Sequence, residues 1–408
     1  MKGIALEGGA SRGAYHMGVL RALYEKGYKI DGITGTSIGA FNAAMVAQGD
    51  FEVCYNMWKD IQPDTLFDVD RNHMEKIEKG KIDKETREYL SSEAKKIIVN
   101  RGIDTAGLRK ILDKYIDEDK LRASDIDFGL VTVKFDGVKP VPVEIFKEEI
   151  PYGELKDYIM ASANLPVFKK EEGREERYID GGFYDNCPIQ LLERKGYDDI
   201  IAIRLFPDRK IRKPLNSNTK LVEIKPAQQL GRALVFSNNT IRKNMLRGYF
   251  DAIKYFEGLK GKKYYIEPIS DDEFFERIIN YPEKNIIQFG EKLNISEMDP
   301  KRMLFEKIIP KVASLVKADE SESYQDIFIG LMEILAEERK LKKFKIYTLD
   351  EFVNEIKEIE PPEEDEKNKD FLSVAMKLMK PIESKISSRK TILKEFEKEI
   401  LSEISYDE

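Results

Sequence analysis

A serine between two glycines stands near the start of the chain, where an apolar run gives way to a helix-like segment. Gly35-Thr36-Ser37-Ile38-Gly39 fits the pattern Gly-x-Ser-x-Gly, follows the short apolar run 30–34 and precedes a segment rich in alanine. In a nucleophile elbow, such a turn holds the serine in a strained conformation while the glycines allow close approach. The pattern predicts a nucleophilic Ser37, although the five residues alone also fit an ordinary glycine-bounded turn.

A nucleophilic serine needs a base, and the histidine content of the chain limits what that base can be. The chain has two histidines, His16 and His73. In an α/β-hydrolase triad the histidine comes after the serine and the acid, late in the chain, so the absence of histidine after residue 73 argues strongly against that fold. We expect His16 on a helix face and His73 at the surface. The base is therefore predicted to be a carboxylate.

Asp180 is the best candidate for that carboxylate. It follows the strand-like run 177–179 and opens Asp180-Gly181-Gly182, where small residues permit close approach. An aspartate before two glycines is also common turn chemistry, so the motif by itself favours a turn. The case for Asp180 as a base depends on the motifs that accompany it.

The first of these motifs is a glycine-rich loop, Glu7-Gly8-Gly9-Ala10-Ser11-Arg12-Gly13, between the first predicted strand and the first predicted helix. A loop in this place is able to cradle phosphate, which makes a nucleotide-binding protein an alternative. The loop lacks the second glycine of the dinucleotide fingerprint, and no Gly-Lys-Ser/Thr follows as in a P-loop. Nucleotide binding is therefore disfavoured.

Strand-like and helix-like segments alternate around these motifs, which is typical of βαβ units and a parallel sheet covered by helices. At 408 residues the chain is long enough for two domains. After about residue 270 charged and aliphatic residues recur at helical spacing, so we expect an α/β domain over 1–268 and a helix-rich domain over 269–408. Other predicted elements are strands at 2–6, 177–179, 200–206 and 221–224, a hairpin of 128–135 with 138–146, and a helix over 153–163.

Taken together, the motifs resemble the patatin-like phospholipase family, which includes plant patatins and many bacterial lipases. The resemblance is strong over residues 1–206 and extends to about 268, and Ala10 stands where the family usually has a third glycine. The matching segments, in order, are the loop 7–13, the elbow 35–39, Ala161-Ser162-Ala163-Asn164-Leu165-Pro166-Val167-Phe168, Asp180-Gly181-Gly182, Asp185-Asn186-Cys187-Pro188-Ile189 and Gly248-Tyr249-Phe250-Asp251-Ala252.

The resemblance implies a three-layer α/β/α patatin-like domain that hydrolyses lipid or phospholipid esters with a Ser37–Asp180 dyad, an acyl-enzyme and neither metal nor cofactor. It implies an oxyanion hole of backbone N–H groups from Gly8, Gly9 and Ala10. Arg12 is expected either to bind a phosphate headgroup or to hold the loop through a salt bridge. The glycines of the elbow and of the other motifs are Gly13, Gly35, Gly39, Gly181 and Gly182.

The composition limits the partners. A net charge of −7 gives no overall cationic field for nucleic acid. No signal peptide is visible and no apolar run approaches the ~20 residues that span a bilayer, so we expect a cytoplasmic protein whose membrane contact is peripheral. The segment 371–379 fits an amphipathic docking helix, although packing against the catalytic domain is favoured. Cys54 and Cys187 form no metal or redox spacing, and Cys187 is expected to be a buried apolar filler.

Two further functions fit the same residues. A small-ester carboxylesterase would share every catalytic group and differ only in the length of its acyl chain. A catalytically silent lipid-binding or scaffold protein would keep the fold and place its function in the C-terminal helices. An intact Ser37 and Asp180 argue against the silent protein, whereas an unfavourable backbone at Ala10 would argue for it.

Overall fold

The computed structural model describes residues 1–61, 105–166, 168, 177–233, 236–292, 295 and 298–359. His73 and the segment 371–379 lie outside these ranges. The chain divides into two compact units, Met1–Tyr255 and Phe256–Glu408. The domain boundary after residue 268 stays a prediction, and each unit is described by itself.

A seven-stranded sheet forms the centre of the first unit, in the order β4-β3-β2-β1-β6-β7 with β5 paired to β3. The strands β1, β2, β3, β6 and β7 run parallel, whereas β4 and β5 are antiparallel to β3. The predicted mainly parallel sheet and hairpin are confirmed. The strands are β1 (Lys2–Leu6), β2 (Gly32–Thr36), β3 (Asp127–Asp136), β4 (Lys139–Phe146), β5 (Arg177–Asp180), β6 (Asp199–Ile203) and β7 (Lys220–Ile224).

Strand β5 occupies the place beside β3 that β2 leaves free. β2 pairs with β3 up to Thr36, opposite Val131. β5 then pairs with β3 from Asp180, opposite Thr132. Because the two strands approach this point from opposite directions, their ends meet beside the middle of β3.

Helices cover both faces of the sheet in the first unit. Ala5, Ile200 and Ala202 pack with the residues around helix α7 on one face. Since side chains alternate along a strand, Ile4 and Leu6 turn to the other face, where α2 packs against β1, β2 and β3. The helices are α1 (Ala14–Glu25), α2 (Ile38–Ala47), α3 (Phe51–Asp60), α4 (Ala106–Tyr115), α5 (Glu118–Ala123), α6 (Leu155–Ser162), α7 (Ile189–Arg194) and α8 (Asn238–Glu257), with 3₁₀ turns at Ala10–Gly13 and Gly181–Phe183.

The described part of the second unit is mainly helical, as expected, and encloses a core of its own. That core includes Tyr264, Leu335 and Phe352. Strands β8 (Tyr265–Ile266) and β9 (Ile346–Tyr347) form a small parallel pair. Its helices are α9 (Asp271–Ile279), α10 (Glu283–Lys292), α11 (Pro300–Met303), α12 (Ile309–Val316), α13 (Tyr324–Glu338) and α14 (Leu349–Glu358), with a π-helical turn at Leu304–Ile308. No helix within the described ranges is both long and apolar enough to cross a membrane.

Candidate active site

Ser37 occupies a tight turn between β2 and α2. Its backbone has φ 56° and ψ −126°, a strained conformation for a residue with a side chain. A Cβ on Gly35 would lie 2.2 Å from the carbonyl carbon of Gly39, and one on Gly39 would lie 2.4 Å from the carbonyl oxygen of Leu6. Both glycines are therefore required for the strand, the turn and the helix to fit together.

Asp180 lies at the end of β5, where it meets the end of β2. The carboxylate is buried, with 4% of the residue exposed. The N–H of Gly182 donates to Oδ1 at 2.7 Å. A Cβ on Gly181 would lie 2.1 Å from the carbonyl oxygen of Val131, so this glycine allows the turn to close against β3.

Burial sets the protonation behaviour of Asp180. Desolvation raises the pKa of its carboxyl above the ordinary aspartate value, while hydrogen bonds from Gly182 and Ser37 and the positive charge of Arg209 oppose that rise. Carboxylates with higher pKa values bind protons more strongly. The location of Asp180 therefore makes it a better base than an exposed aspartate.

The glycine-rich loop presents two free backbone donors beside Ser37. The N–H of Gly8 donates to the carbonyl oxygen of Asn186 at 2.9 Å. The N–H groups of Gly9 and Ala10 find no acceptor among the described residues. Ala10 has φ 52°, and its side chain lines the same pocket as Ser37. Alanine thus adopts the left-handed conformation for which glycine is usually selected.

Glu7 anchors this loop to the sheet. Its buried Oε2 accepts hydrogen bonds from Arg204 Nε at 3.1 Å and from the N–H groups of Leu205 and Phe206 at 2.6 and 3.1 Å. Arg204 is in turn paired with Glu223 at 2.6 Å. A buried charge with this many partners holds the loop in one position.

Arg12 contacts the neighbouring backbone and an aromatic ring. Its Nε donates to the carbonyl oxygen of Gly231 at 2.9 Å, and its guanidinium lies 4.4 Å from the centre of the Phe206 ring. Of the two roles expected for Arg12, headgroup binding and holding the loop, these contacts support the second. The partner is the backbone carbonyl of Gly231 and not the acidic side chain of the expected salt bridge.

Gly13 lies next to α2, where an added Cβ would come within 2.9 Å of Ile38.

Ser162 is a positioning residue to which the sequence analysis assigned no role. Its Oγ accepts the N–H of Ser37 at 2.9 Å and donates to the carbonyl oxygen of Val131 at 2.6 Å. The hydroxyl thus ties the strained turn to β3. The only sequence signal was its place in the segment 161–168, because 125 residues separate the two partners.

An apolar pocket opens beside Ser37. Apart from Ser37, the lining residues that the structure describes are all apolar. They come from α2, α3, α4 and α6, from the segments after α3 and α6, and from those before α1 and α8. The pocket suits an aliphatic chain whose reactive end lies at Ser37. The lining residues are Ala10, Ile38, Phe41, Met57, Trp58, Ile61, Leu108, Ile111, Leu112, Ile159, Met160, Ala163, Leu165, Phe168 and Phe236.

The remaining candidates for chemistry are placed away from this arrangement. His16 is fully buried, its Nδ1 lies 3.2 Å from the side-chain amide of Asn42, and burial lowers its pKa to about 3. Cys54 and Cys187 are buried free thiols whose pKa values are raised by desolvation. Over the described ranges, no group of three or more His, Cys, Asp or Glu residues is arranged to hold a metal ion.

Comparison with known proteins identifies the family. The family model described as patatin-like phospholipase matches residues 4–192. The chain contains a patatin-like phospholipase domain. This domain covers the elbow, the glycine-rich loop, Ser162 and Asp180.

The relatives of this domain are parts of much longer proteins. Lysophospholipase NTE1 of Candida glabrata is 27% identical over 206 residues, which are 49% of this chain and 10% of the relative. Patatin-like phospholipase domain-containing protein ZK370.4 of Caenorhabditis elegans is 50% identical over 46 residues, or 11% of this chain and 3% of that protein. The chain therefore spans about a tenth or less of the length of these curated relatives.

Solved structures give a more distant likeness. VipD from Legionella pneumophila matches with a TM-score of 0.38 and 14% identity, covering 100% of this chain and 92% of VipD. The type III effector protein ExoU matches with a TM-score of 0.33 and 12% identity, covering 92% of this chain and 74% of ExoU.

The backbone at Ala10 generates a prediction for stability. An L-residue in the left-handed region costs about 1–2 kcal/mol, so Ala10→Gly should leave the free energy of unfolding unchanged or raise it slightly. Ala14, at φ −56°, is the matched control, and Ala14→Gly should lower that free energy by at least ~0.5 kcal/mol. Urea unfolding measures both. Equal losses in the two variants would contradict a left-handed Ala10.

A second prediction concerns Ser162. Ser162→Ala leaves the Ser37 N–H and the Val131 carbonyl without their partner, at a cost of about 1–3 kcal/mol for a buried polar group. We expect modification of Ser37 by a fluorophosphonate to slow roughly tenfold, as measured by intact mass spectrometry. Ser124→Ala is the control, because it removes a hydroxyl that accepts the N–H of Ile126 at 3.1 Å outside the site. An unchanged rate in Ser162→Ala would refute the positioning role.

Proposed function

We propose that the patatin-like domain is a serine lipid acyl hydrolase that cleaves carboxylic ester bonds through a Ser37–Asp180 dyad. The observation that carries this proposal is the meeting of the ends of β2 and β5 beside β3, which brings Ser37, at an apolar pocket, together with the buried carboxylate of Asp180. The family of the domain and the names of its lysophospholipase relatives support a lipid ester as substrate.

In the first half-reaction, Ser37 Oγ attacks the ester carbonyl carbon while Asp180 takes its proton. The N–H groups of Gly9 and Ala10 donate to the oxyanion that forms. We assign Gly8 no part in binding the oxyanion, because its N–H already donates to the carbonyl oxygen of Asn186. Gly8 remains in the proposal only as a residue of the loop. The tetrahedral intermediate collapses, the ester C–O bond breaks, and the leaving alkoxide receives the proton from Asp180.

In the second half-reaction, a water molecule gives a proton to Asp180 and attacks the carbonyl carbon of the acyl-enzyme. Collapse of this second intermediate releases the fatty acid, and the proton returns from Asp180 to Ser37. The same carboxylate acts first as base and then as acid in each half, and a pKa closer to the operating pH than that of an exposed aspartate makes both transfers more efficient. The raised pKa of Asp180 supports this assignment.

The pocket favours lipids over small esters. An acetyl group would leave most of its apolar lining without contact, whereas each buried methylene of a longer acyl chain contributes about 0.8 kcal/mol. The small-ester carboxylesterase is thus the second candidate. The silent lipid-binding protein is the third: the left-handed backbone of Ala10 favours it, whereas the N–H of Ala10, free among the described residues, and the presence of both Ser37 and Asp180 argue against it. A headgroup contact at Arg12, a cytoplasmic location and peripheral membrane contact are retained as proposals.

The test compares wild type with Ser37→Ala on p-nitrophenyl esters of increasing acyl length and on phospholipid and lysophospholipid vesicles, with EDTA present. We expect Ser37→Ala to lose at least about 10³-fold in kcat, and kcat/KM of the wild type to rise with acyl length. Ser124→Ala should retain full activity. Activity remaining in Ser37→Ala would refute the dyad, and a preference for acetate would favour the carboxylesterase.

A further inference from the structure

The glycine-rich loop is held on both sides of the two backbone N–H groups that find no acceptor among the described residues. On one side, the N–H of Gly8 donates to the carbonyl oxygen of Asn186 at 2.9 Å. On the other side, the N–H of Ser11 donates to the carbonyl oxygen of Ala233 at 2.9 Å. The N–H groups that we assign to the oxyanion therefore lie between two fixed points of the backbone.

Residues 230–233, which precede α8, make the second of these contacts, and we call them the strap. The hydroxyl of Ser11 donates to the carbonyl oxygen of Arg232 at 3.2 Å, although 221 residues separate the two in the sequence. Arg12 Nε donates to the carbonyl oxygen of Gly231 at 2.9 Å. Three consecutive carbonyl groups of the strap thus accept hydrogen bonds from two consecutive residues of the loop.

Helix α8 holds the strap. The side-chain amide of Asn244, on α8, donates to the carbonyl oxygen of Leu230 at 3.0 Å, and both residues are buried. α8 in turn packs closely on α1, where a Cβ added to Gly248 would lie 2.2 Å from the carbonyl oxygen of Tyr15. Because α1 begins directly after the loop, the loop, the strap, α8 and α1 form a closed ring of contacts.

The backbone of the loop needs such support. Ala10 has a left-handed backbone, which an L-residue adopts only where its surroundings hold it. Gly9 has no Cβ and is free to adopt many conformations. An oxyanion hole is effective only when its donors are in place before the charge develops. Contacts on both sides of Gly9 and Ala10 limit the conformations available to both residues.

We infer that the strap positions the oxyanion hole, and that Ser11 and Asn244 are positioning residues for the reaction of Ser37. Ser11 acts on the loop directly, and Asn244 acts on it through the strap. The inference rests on the proposed function, because the oxyanion forms only when Ser37 attacks an ester. Loss of either contact should therefore weaken stabilisation of the transition state and leave substrate binding unchanged.

The experiment compares the full-length wild type with Ser11→Ala, Asn244→Ala and the double variant on p-nitrophenyl esters of long acyl chains. We expect kcat to fall at least about tenfold in each single variant, with KM unchanged. Since both changes act through the strap, the loss in the double variant should be smaller than the product of the two single losses. Complete fluorophosphonate modification of Ser37 counts the active sites, so unfolded protein does not affect kcat.

An alkyl trifluoromethyl ketone tests the oxyanion hole without turnover. Ser37 Oγ adds to the ketone carbon, the serine proton passes to Asp180, and the carbonyl oxygen takes the negative charge. Because this adduct resembles the tetrahedral intermediate, we expect its inhibition constant to rise in both single variants by about the factor by which kcat/KM falls.

Matched controls remove similar groups outside the loop and the strap. Gln325, in the second unit, is buried, and its side-chain amide donates to the carbonyl oxygen of Ile269 at 3.2 Å. Ser124 accepts the N–H of Ile126. Gln325→Ala and Ser124→Ala should keep the kcat and the inhibition constant of the wild type.

Three results would overturn the role of the strap and leave the hydrolase unaffected. They are single variants with the kcat and inhibition constant of the wild type, variants in which KM rises while kcat stays unchanged, and controls that lose as much kcat as Ser11→Ala. Failure of the proposed function gives a different result. A wild type that hydrolyses no ester and does not bind the ketone would refute the hydrolase and, with it, this inference.

Discussion

The meeting of the ends of β2 and β5 beside β3 is the constraint on which the first unit depends, because it brings Ser37 and Asp180 together. The two strands run in opposite directions and end beside the middle of β3. Ser37 directly follows β2, and Asp180 is the last residue of β5. The distance between them is set by backbone, since Gly35, Gly39 and Gly181 remove every Cβ that would separate the turns from β1, β3 and α2. Substitution of any of these glycines would therefore affect the reaction by displacing Ser37 and Asp180 relative to each other.

This arrangement requires conformations and environments that oppose stability. Ser37 and Ala10 have positive φ, and Asp180 is buried although desolvation disfavours its charged form. Such features persist only where surrounding contacts hold them. Here Ser162 holds the backbone of the elbow, Glu7 holds the loop, and Gly182 partly compensates the buried carboxylate. Active sites often have such destabilising features, because the reactive geometry must exist before the substrate binds.

Much of the sheet was predictable because its signals are local. The apolar run 2–6, the hairpin around Asp136-Gly137 and the strand before Asp180 lie within a residue or two of their predicted bounds. β2 lies two residues later than predicted, at Gly32–Thr36 in place of 30–34. Glycine usually marks the end of a strand, whereas Gly32 and Gly35 both lie within buried β2, and Gly35 packs directly on Gly39.

Contacts between distant segments were not predictable from the sequence. The bond between Ser162 and Ser37 joins segments that no periodicity relates. The use of the Gly8 N–H by Asn186 likewise spans most of the domain, and nothing in a glycine-rich loop reveals which of its N–H groups stay free. Ala10, the third predicted donor to the oxyanion, stands where the family usually has glycine. Its left-handed backbone conformation is a property of the folded loop and does not follow from the residue type.

The most direct test of the Ser37–Asp180 pair is the rate at which a fluorophosphonate modifies Ser37 as a function of pH, in wild type and in Asp180→Asn. Because burial raises the pKa of Asp180, the wild-type rate should fall on acidification with a midpoint above the ordinary aspartate value of about 3.9. Asp180→Asn keeps an acceptor for Gly182 but has no base, so its rate should be at least about 100-fold lower and lack that midpoint. Equal rates and the same acid limb in both proteins would contradict Asp180 as the base.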